Sequence, residues 1–107
     1  MKIRILFPLL FVLSTLSPVI QAQDAETLVS ETMCYACHQM AEASLGPPWQ
    51  AIAARHAANS EVMTDVLAGK IIRGGGGNWG NVPMVPNQRV NEDQARIMAE
   101  WILEQTP

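Results

Sequence analysis

The chain has 107 residues, enough for one small domain, and carries seven Lys and Arg against ten Asp and Glu, a net charge of −3. That acidic balance gives no electrostatic pull towards nucleic acid or anionic lipid. A domain this short buries little core of its own and commonly leans on a disulfide, a metal or a cofactor.

Residues 1–22 read as a separate segment. Lys2 and Arg4 precede an almost wholly apolar or small run from Ile5 to Ile20, and Gln21-Ala22-Gln23 offers a small residue at a cleavage point. This is the pattern of a secretory signal peptide. Pro8, Pro18 and the shortness of the apolar run make a retained membrane anchor the weaker reading. Cutting after Ala22 leaves a domain of residues 23–107, 85 residues long, with five Lys and Arg against ten Asp and Glu. Export carries the thiols into an oxidising compartment, where they end as a disulfide, a metal site or a covalent cofactor link.

From Asp24 to Met33, the residues Leu28, Val29, Thr32 and Met33 recur at helical spacing, and Asp24 and Glu26 sit where a helix start favours acids. This short helix delivers the chain to Cys34-Tyr35-Ala36-Cys37-His38. Two thiols separated by two residues and followed at once by an imidazole form the attachment pattern of a c-type haem. Each thiol can add across one porphyrin vinyl group to give a thioether, and His38 then lies under the iron as an axial ligand. Three other uses compete. A zinc site wants four Cys or His side chains, and the chain has only Cys34, Cys37, His38 and the distant His56. A redox dithiol belongs beside a β-α-β pattern, which is missing. A structural disulfide would close only a four-residue loop and stabilise little.

After His38, Gln39 to Leu45 is irregular and ends in Gly46-Pro47-Pro48, which must be a fixed turn. Trp49 to His56 reads as a short alanine-rich helix. Asn59-Ser60 offers capping side chains to a further helix, whose apolar stripe is Val62, Met63, Val66, Leu67 and Ile71 and whose stop is Gly74. Residues 74–91 hold seven Gly and Pro and no periodicity, too long a stretch to be a mere connector. Asn91 and Gln94 form a capping-box pattern at the start of the last helix, where Ala95, Met98, Trp101 and Ile102 share one face. No alternating strand pattern appears. The expectation is an all-α domain whose terminal helices pack on each other, with the special chemistry between them.

A haem in an electron carrier needs a second axial ligand. Met33, Met40, Met63 and Met98 lie in or beside helices and read as core filling. Met84 lies in Val82-Pro83-Met84-Val85-Pro86-Asn87, where two prolines stiffen the backbone without a helical or strand partner. A rigid loop holding a soft thioether suits an iron ligand opposite His38, and such a pair raises the potential; a loop methionine without that role is the alternative. His56 is the rival ligand, but its polar run beside Arg55 and Asn59 reads as solvated surface. Gly75-Gly76-Gly77-Asn78-Trp79-Gly80 matches the G-x-G-x-x-G string of dinucleotide sites. No strand precedes it and prolines follow it, so the required context is missing. The glycines instead let the backbone pass close to a flat cofactor. Trp79 either packs on the porphyrin with its N–H towards a propionate or is an ordinary core tryptophan.

Taken together, these residues resemble the short bacterial class I cytochromes c, periplasmic monohaem carriers that include donors to nitrite reductase. The likeness covers essentially all of residues 23–107. It rests on Cys34 to His38, Gly46-Pro47 eight residues after the histidine, Trp79-Gly80 to Pro83-Met84, Pro86-Asn87, and Trp101 in the last helix. The resemblance implies a small cytochrome c fold of about four to five short helices around one covalently bound haem c. Cys34 and Cys37 would form the thioethers, and His38 and Met84 would be the axial iron ligands. Pro47 would offer its carbonyl to the free nitrogen of His38, and Asn87 would hydrogen-bond the sulfur side of Met84. Trp79 and Lys70 would hydrogen-bond or neutralise a buried propionate. Lysine at position 70 is a departure from the arginine common in relatives, keeping the charge without the fork geometry.

The resemblance also implies redox protein partners: a quinol-oxidising complex upstream, and a nitrite reductase, peroxidase or terminal oxidase downstream. Relatives commonly ring the haem edge with lysines, whereas the motif here is flanked by Ser30, Glu31 and Thr32 and by Glu42, Ala43 and Ser44. An acidic or mainly apolar docking face prefers a different partner surface. The expected protein is a monomeric periplasmic one-electron carrier, not an enzyme, with no nucleic-acid partner and no stable membrane insertion after processing. The alternative is a haem enzyme or a gas or redox sensor from which Met84 can be displaced. The absence of a His/Arg pair near Met84 in the sequence argues against it.

Overall fold

The structure, a computed structural model, describes residues 24–107 together with Ile3; the expected signal peptide, residues 1–22, otherwise lies outside the described residues. Among the described residues, four α-helices follow one another: α1 (Ala25–Glu31), α2 (Trp49–His56), α3 (Ser60–Arg73) and α4 (Glu92–Leu103), with 3₁₀ turns at Cys34–Ala36 and Ala57–Asn59. The all-α expectation is borne out. The only β-type pairing among the described residues is an isolated antiparallel bridge between Gly75 and Met84.

The helix starts follow from their capping side chains. Asp24 accepts from the Thr27 amide at 3.3 Å at the start of α1. At the start of α4, the Gln94 amide donates to Asn91 Oδ1 at 2.8 Å and the Asn91 amide donates to Gln94 Oε1 at 3.0 Å, the expected reciprocal box. These bonds satisfy backbone donors that the first helical turn leaves unpaired. Glu92 and Asp93 add negative charge where the helix dipole favours it.

Helix α4 is the strut on which the others pack. Ala95, Met98 and Ala99 are completely buried, and they join Leu28 and Val29 of α1, Trp49 and Ile52 of α2, and Ala68 and Ile71 of α3 in one core. The terminal helices therefore meet as expected, and α3 and α4 share the most extensive contact. Ala68 of α3 and Ala95 and Ala99 of α4 are small residues of the shared core. The exposed ion pair of Arg96 with Asp65 joins the same two helices on the outside, where such pairs contribute little.

Helix α3 departs from its expected stripe. Val62 and Val66 are 68% and 47% exposed, and the positions facing the protein are Thr64, Ala68, Gly69 and Ile71. The buried Thr64 hydroxyl is satisfied by the Ser60 carbonyl at 3.0 Å. The helix has two apolar faces: one packs on α4, while Met63, Val66 and Leu67 line a cavity. Periodicity counts apolar side chains without saying which kind of partner covers them. Asn59 makes no side-chain cap, because the 3₁₀ turn Ala57–Asn59 runs directly into α3. Gly74 does stop the helix, at φ +69°. Among the four methionines read as core, Met98 is buried, but Met33 and Met40 are exposed and Met63 is cavity lining.

Candidate cofactor site

A cavity of about 870 Å³ lies between the Cys34–His38 turn, α2, α3 and the loop of residues 75–89. Its size is that of a site for a large organic ligand. Cys34, Cys37, His38 and Met84 all line it, as do Lys70, Trp79, Pro47 and Asn87. The chain thus brings these eight candidate site residues to one place.

The cysteine turn begins at Met33, whose φ of +67° reverses the chain after α1. Amides of Cys37 and His38 then donate to the Cys34 carbonyl at 3.1 and 3.0 Å, closing the turn that presents both thiols. The thiols are not joined to each other. Burial pushes the Cys34 thiol above its ordinary range, opposed by a 3.5 Å hydrogen bond with the Thr32 hydroxyl. Among the described residues, no three His, Cys, Asp or Glu side chains gather as a metal-holding group.

His38 is buried and held from three directions. Its Nδ1–H donates to the Pro47 carbonyl at 2.7 Å. Its ring stacks on Trp49 with centroids 4.4 Å apart and planes 20° from parallel. Gly46 lies against the same ring, where a Cβ would fall 2.6 Å from Cε1. The loop itself is fixed by the Gly46 amide on the Cys37 carbonyl at 2.8 Å and the Trp49 amide on the Gln39 carbonyl at 2.9 Å. Donating Nδ1–H to a carbonyl fixes the tautomer and leaves Nε2 with its lone pair.

Met84 has more support than its prolines alone provide. Its amide and carbonyl pair with the carbonyl and amide of Gly75 at 2.8 and 2.9 Å, so the expectation of a loop without a strand-like partner is corrected. Prolines on both sides hide so short a pairing from a sequence pattern. The close approach requires glycine: a Cβ on Gly74 would collide with the Met84 carbonyl. Asn87 closes the loop through its amide on the Ile71 carbonyl at 3.0 Å. Its side-chain Nδ2 donates to the Thr32 carbonyl at 3.2 Å and its Oδ1 accepts from the Arg89 amide at 3.0 Å. Asn87 thereby ties the Met84 loop to the segment entering the cysteine turn.

Two residues that sequence reasoning did not assign stand at the site. Trp49 stacks on His38, meets Tyr35 and Trp101 edge-on, and has a buried Nε1 without a hydrogen-bond partner among the described residues. A signal existed, since Trp49 follows the proline turn expected to hold His38. Arg55 lines the cavity beside Trp79, and no local pattern connects residues so far apart. His56, read as solvated, is half-buried and also lines the cavity. Burial, and then the neighbouring Arg55 charge, lower its basicity.

The donor set fits a covalently held haem. Two thiols, an imidazole with a free Nε2 and a thioether face a largely apolar chamber that is also lined by three cationic side chains, Arg55, Lys70 and Arg89.

Comparison with known proteins agrees. The sequence pattern of the Cytochrome c family matches residues 22–106. Cytochrome c-552 of Nitrosomonas europaea is 42% identical over 82 residues, covering 77% of this chain and 79% of the relative. Cytochrome c-551 of Stutzerimonas stutzeri is 43% identical over 82 residues, 77% of each chain. The crystal structure of wild-type Nitrosomonas europaea cytochrome c552 superposes with a TM-score of 0.71 at 38% identity, over 76% of this chain and 99% of that one. With the Cys34–His38 turn and the all-α frame already in place, these likenesses settle the family: the chain belongs to the cytochromes c, as a small class I monohaem member that binds its haem covalently and serves as a haem-based electron carrier.

Proposed function

We propose that the protein is a periplasmic one-electron carrier in which His38 Nε2 and Met84 Sδ hold the iron and Cys34 and Cys37 form the thioether links. The observation that carries this reading is the 2.7 Å bond from His38 Nδ1–H to the Pro47 carbonyl. It leaves Nε2 as the imidazole's free donor in a cavity that Met84 also lines. When bound, the haem supplies a one-electron couple; the chain supplies ligands, insulation and docking.

Rigidity is what the protein contributes to such a transfer. His38 is fixed by Pro47, Trp49 and Gly46, and Met84 by the bridge to Gly75. Neither side chain has to move when the charge at the site changes, so little reorganisation opposes the electron. Methionine opposite histidine favours the reduced state and raises the potential. In this reading, residues 1–22 are the export signal and residues 23–107 the haem domain. The partners are redox proteins: a quinol-oxidising complex as donor and a nitrite reductase, peroxidase or terminal oxidase as acceptor. The acidic Glu31 and Glu42 near the motif favour partner surfaces that are not themselves acidic.

The test is carbon monoxide added to the reduced protein at neutral pH. The wild-type spectrum should stay unchanged, and Met84→Ala should bind the gas. Binding by the wild type would overturn the closed, two-ligand site and favour a sensor or enzyme.

A further inference from the structure

The loop after α3 has little to hold its tip. Gly74, Gly75, Gly77 and Gly80 all have positive φ, between 69° and 133°, and glycine loses more freedom on ordering than any other residue. A Cβ at Gly77 or Gly80 would meet nothing within 4 Å, so no packing restrains that part of the loop. Its own turn is closed by one backbone bond, from the Gly77 amide to the Gly80 carbonyl at 3.2 Å. Trp79 is 45% exposed, too open for the core to fix its ring.

Arg55 supplies a grip from α2. Its Nη1 donates to the Asn78 carbonyl at 2.8 Å, across 23 residues of chain, and its guanidinium carbon lies 4.5 Å from the Trp79 ring centroid. One side chain thus holds the backbone and the indole of the same turn. Among the described residues Arg55 makes no ion pair; the salt bridges there belong to Arg96. Lys70, on α3, reaches the neighbouring stretch, where a Cβ on Gly75 would fall 2.7 Å from its Nζ. Arg55, Lys70 and Trp79 line the cavity together.

We propose that Arg55 is the positioning residue for Trp79: from α2 it clamps the Asn78–Trp79 turn, so that the indole and two cations stand ready for the cofactor's carboxylate side chains. The proposal rests on the reading of Trp79 as a partner of those carboxylates. Arg55 acts through Trp79, and the arrangement suits a guanidinium, which can stack on an aromatic face and donate in its own plane; an ammonium keeps the charge without that geometry.

Hydrogen exchange of the haem-loaded protein tests the clamp, followed at the Trp79 indole N–H and the amides of residues 75–80. The variants are Arg55→Gln, Arg55→Lys and Arg73→Gln, the last removing a charge at a residue that does not line the cavity. Arg55→Gln should speed exchange about tenfold, the scale of one charge-assisted hydrogen bond with its ring contact. Arg55→Lys should fall between, and Arg73→Gln should match the wild type. Wild-type exchange in Arg55→Gln would overturn the proposal. The reading of Trp79 has its own test, the pH dependence of the midpoint potential in Trp79→Phe. A changed dependence supports the carboxylate role, and an unchanged one removes that half while leaving the clamp.

Discussion

Around α4, apolar side chains find protein partners: Leu28, Val29 and Met98 are at most 2% exposed. Across the cavity, side chains of the same chemistry are open, with Leu45 at 62%, Val66 at 47%, Val82 at 60% and Val85 at 72% exposed, and all four line the cavity wall. The helical half closes on itself through helix packing. The loop half, residues 34–48 and 74–90, is held by backbone bonds, proline turns and glycine contacts, and its apolar side chains, with Val66 of α3, line the cavity that a haem would fill. In so small a domain, the cofactor would complete the core as well as supply the redox chemistry.

Breaking the covalent link should have the largest effect. With Cys34→Ala and Cys37→Ala combined, acid-acetone extraction should remove all the haem, whereas the wild type stays red, and the melting temperature should fall most of any variant. A cut in the helical half should separate stability from redox chemistry. Leu28→Ala, in the core and outside the cavity lining, should cost about 2–5 kcal/mol in denaturant unfolding, the usual range for emptying a buried leucine site, with the midpoint potential unchanged. A smaller loss, about 1 kcal/mol, should follow Asn91→Ala, which removes one arm of the α4 capping box.

The smallest effect concerns pH. Burial and Arg55 hold His56 below its ordinary value of 6.5 in the folded chain. The unfolded chain therefore takes up the proton more readily as pH falls through that value, and folding stability declines below it. His56→Gln should remove that part of the acid-side decline, read as a flatter plot of unfolding free energy between neutral and mildly acidic pH.

The same contrast explains what the sequence made legible. The family could be read from Cys34 to His38 because thioether chemistry demands two thiols and an imidazole in a fixed order. The bounds of α2 and the α4 capping box could be read because both are local. The face of α3 could not, since Val66 and Ile71 look alike in a stripe although both line the cavity and only Ile71 also joins the core. Met33 and Met40 read as core for the same reason, although both are exposed. The Gly75–Met84 bridge was hidden by prolines around it, and the Arg55–Trp79 contact joins distant stretches through a tertiary approach with no periodic signature.

The proposed pairing of His38 with Met84 at the iron is tested most directly by the absorption spectrum of the oxidised protein expressed in the periplasm. It should show the weak far-red band of a methionine-to-ferric-iron bond, present in the wild type and in Arg55→Gln and absent in Met84→Ala. A wild-type spectrum without that band, or a Met84→Ala spectrum that keeps it, would contradict the assignment.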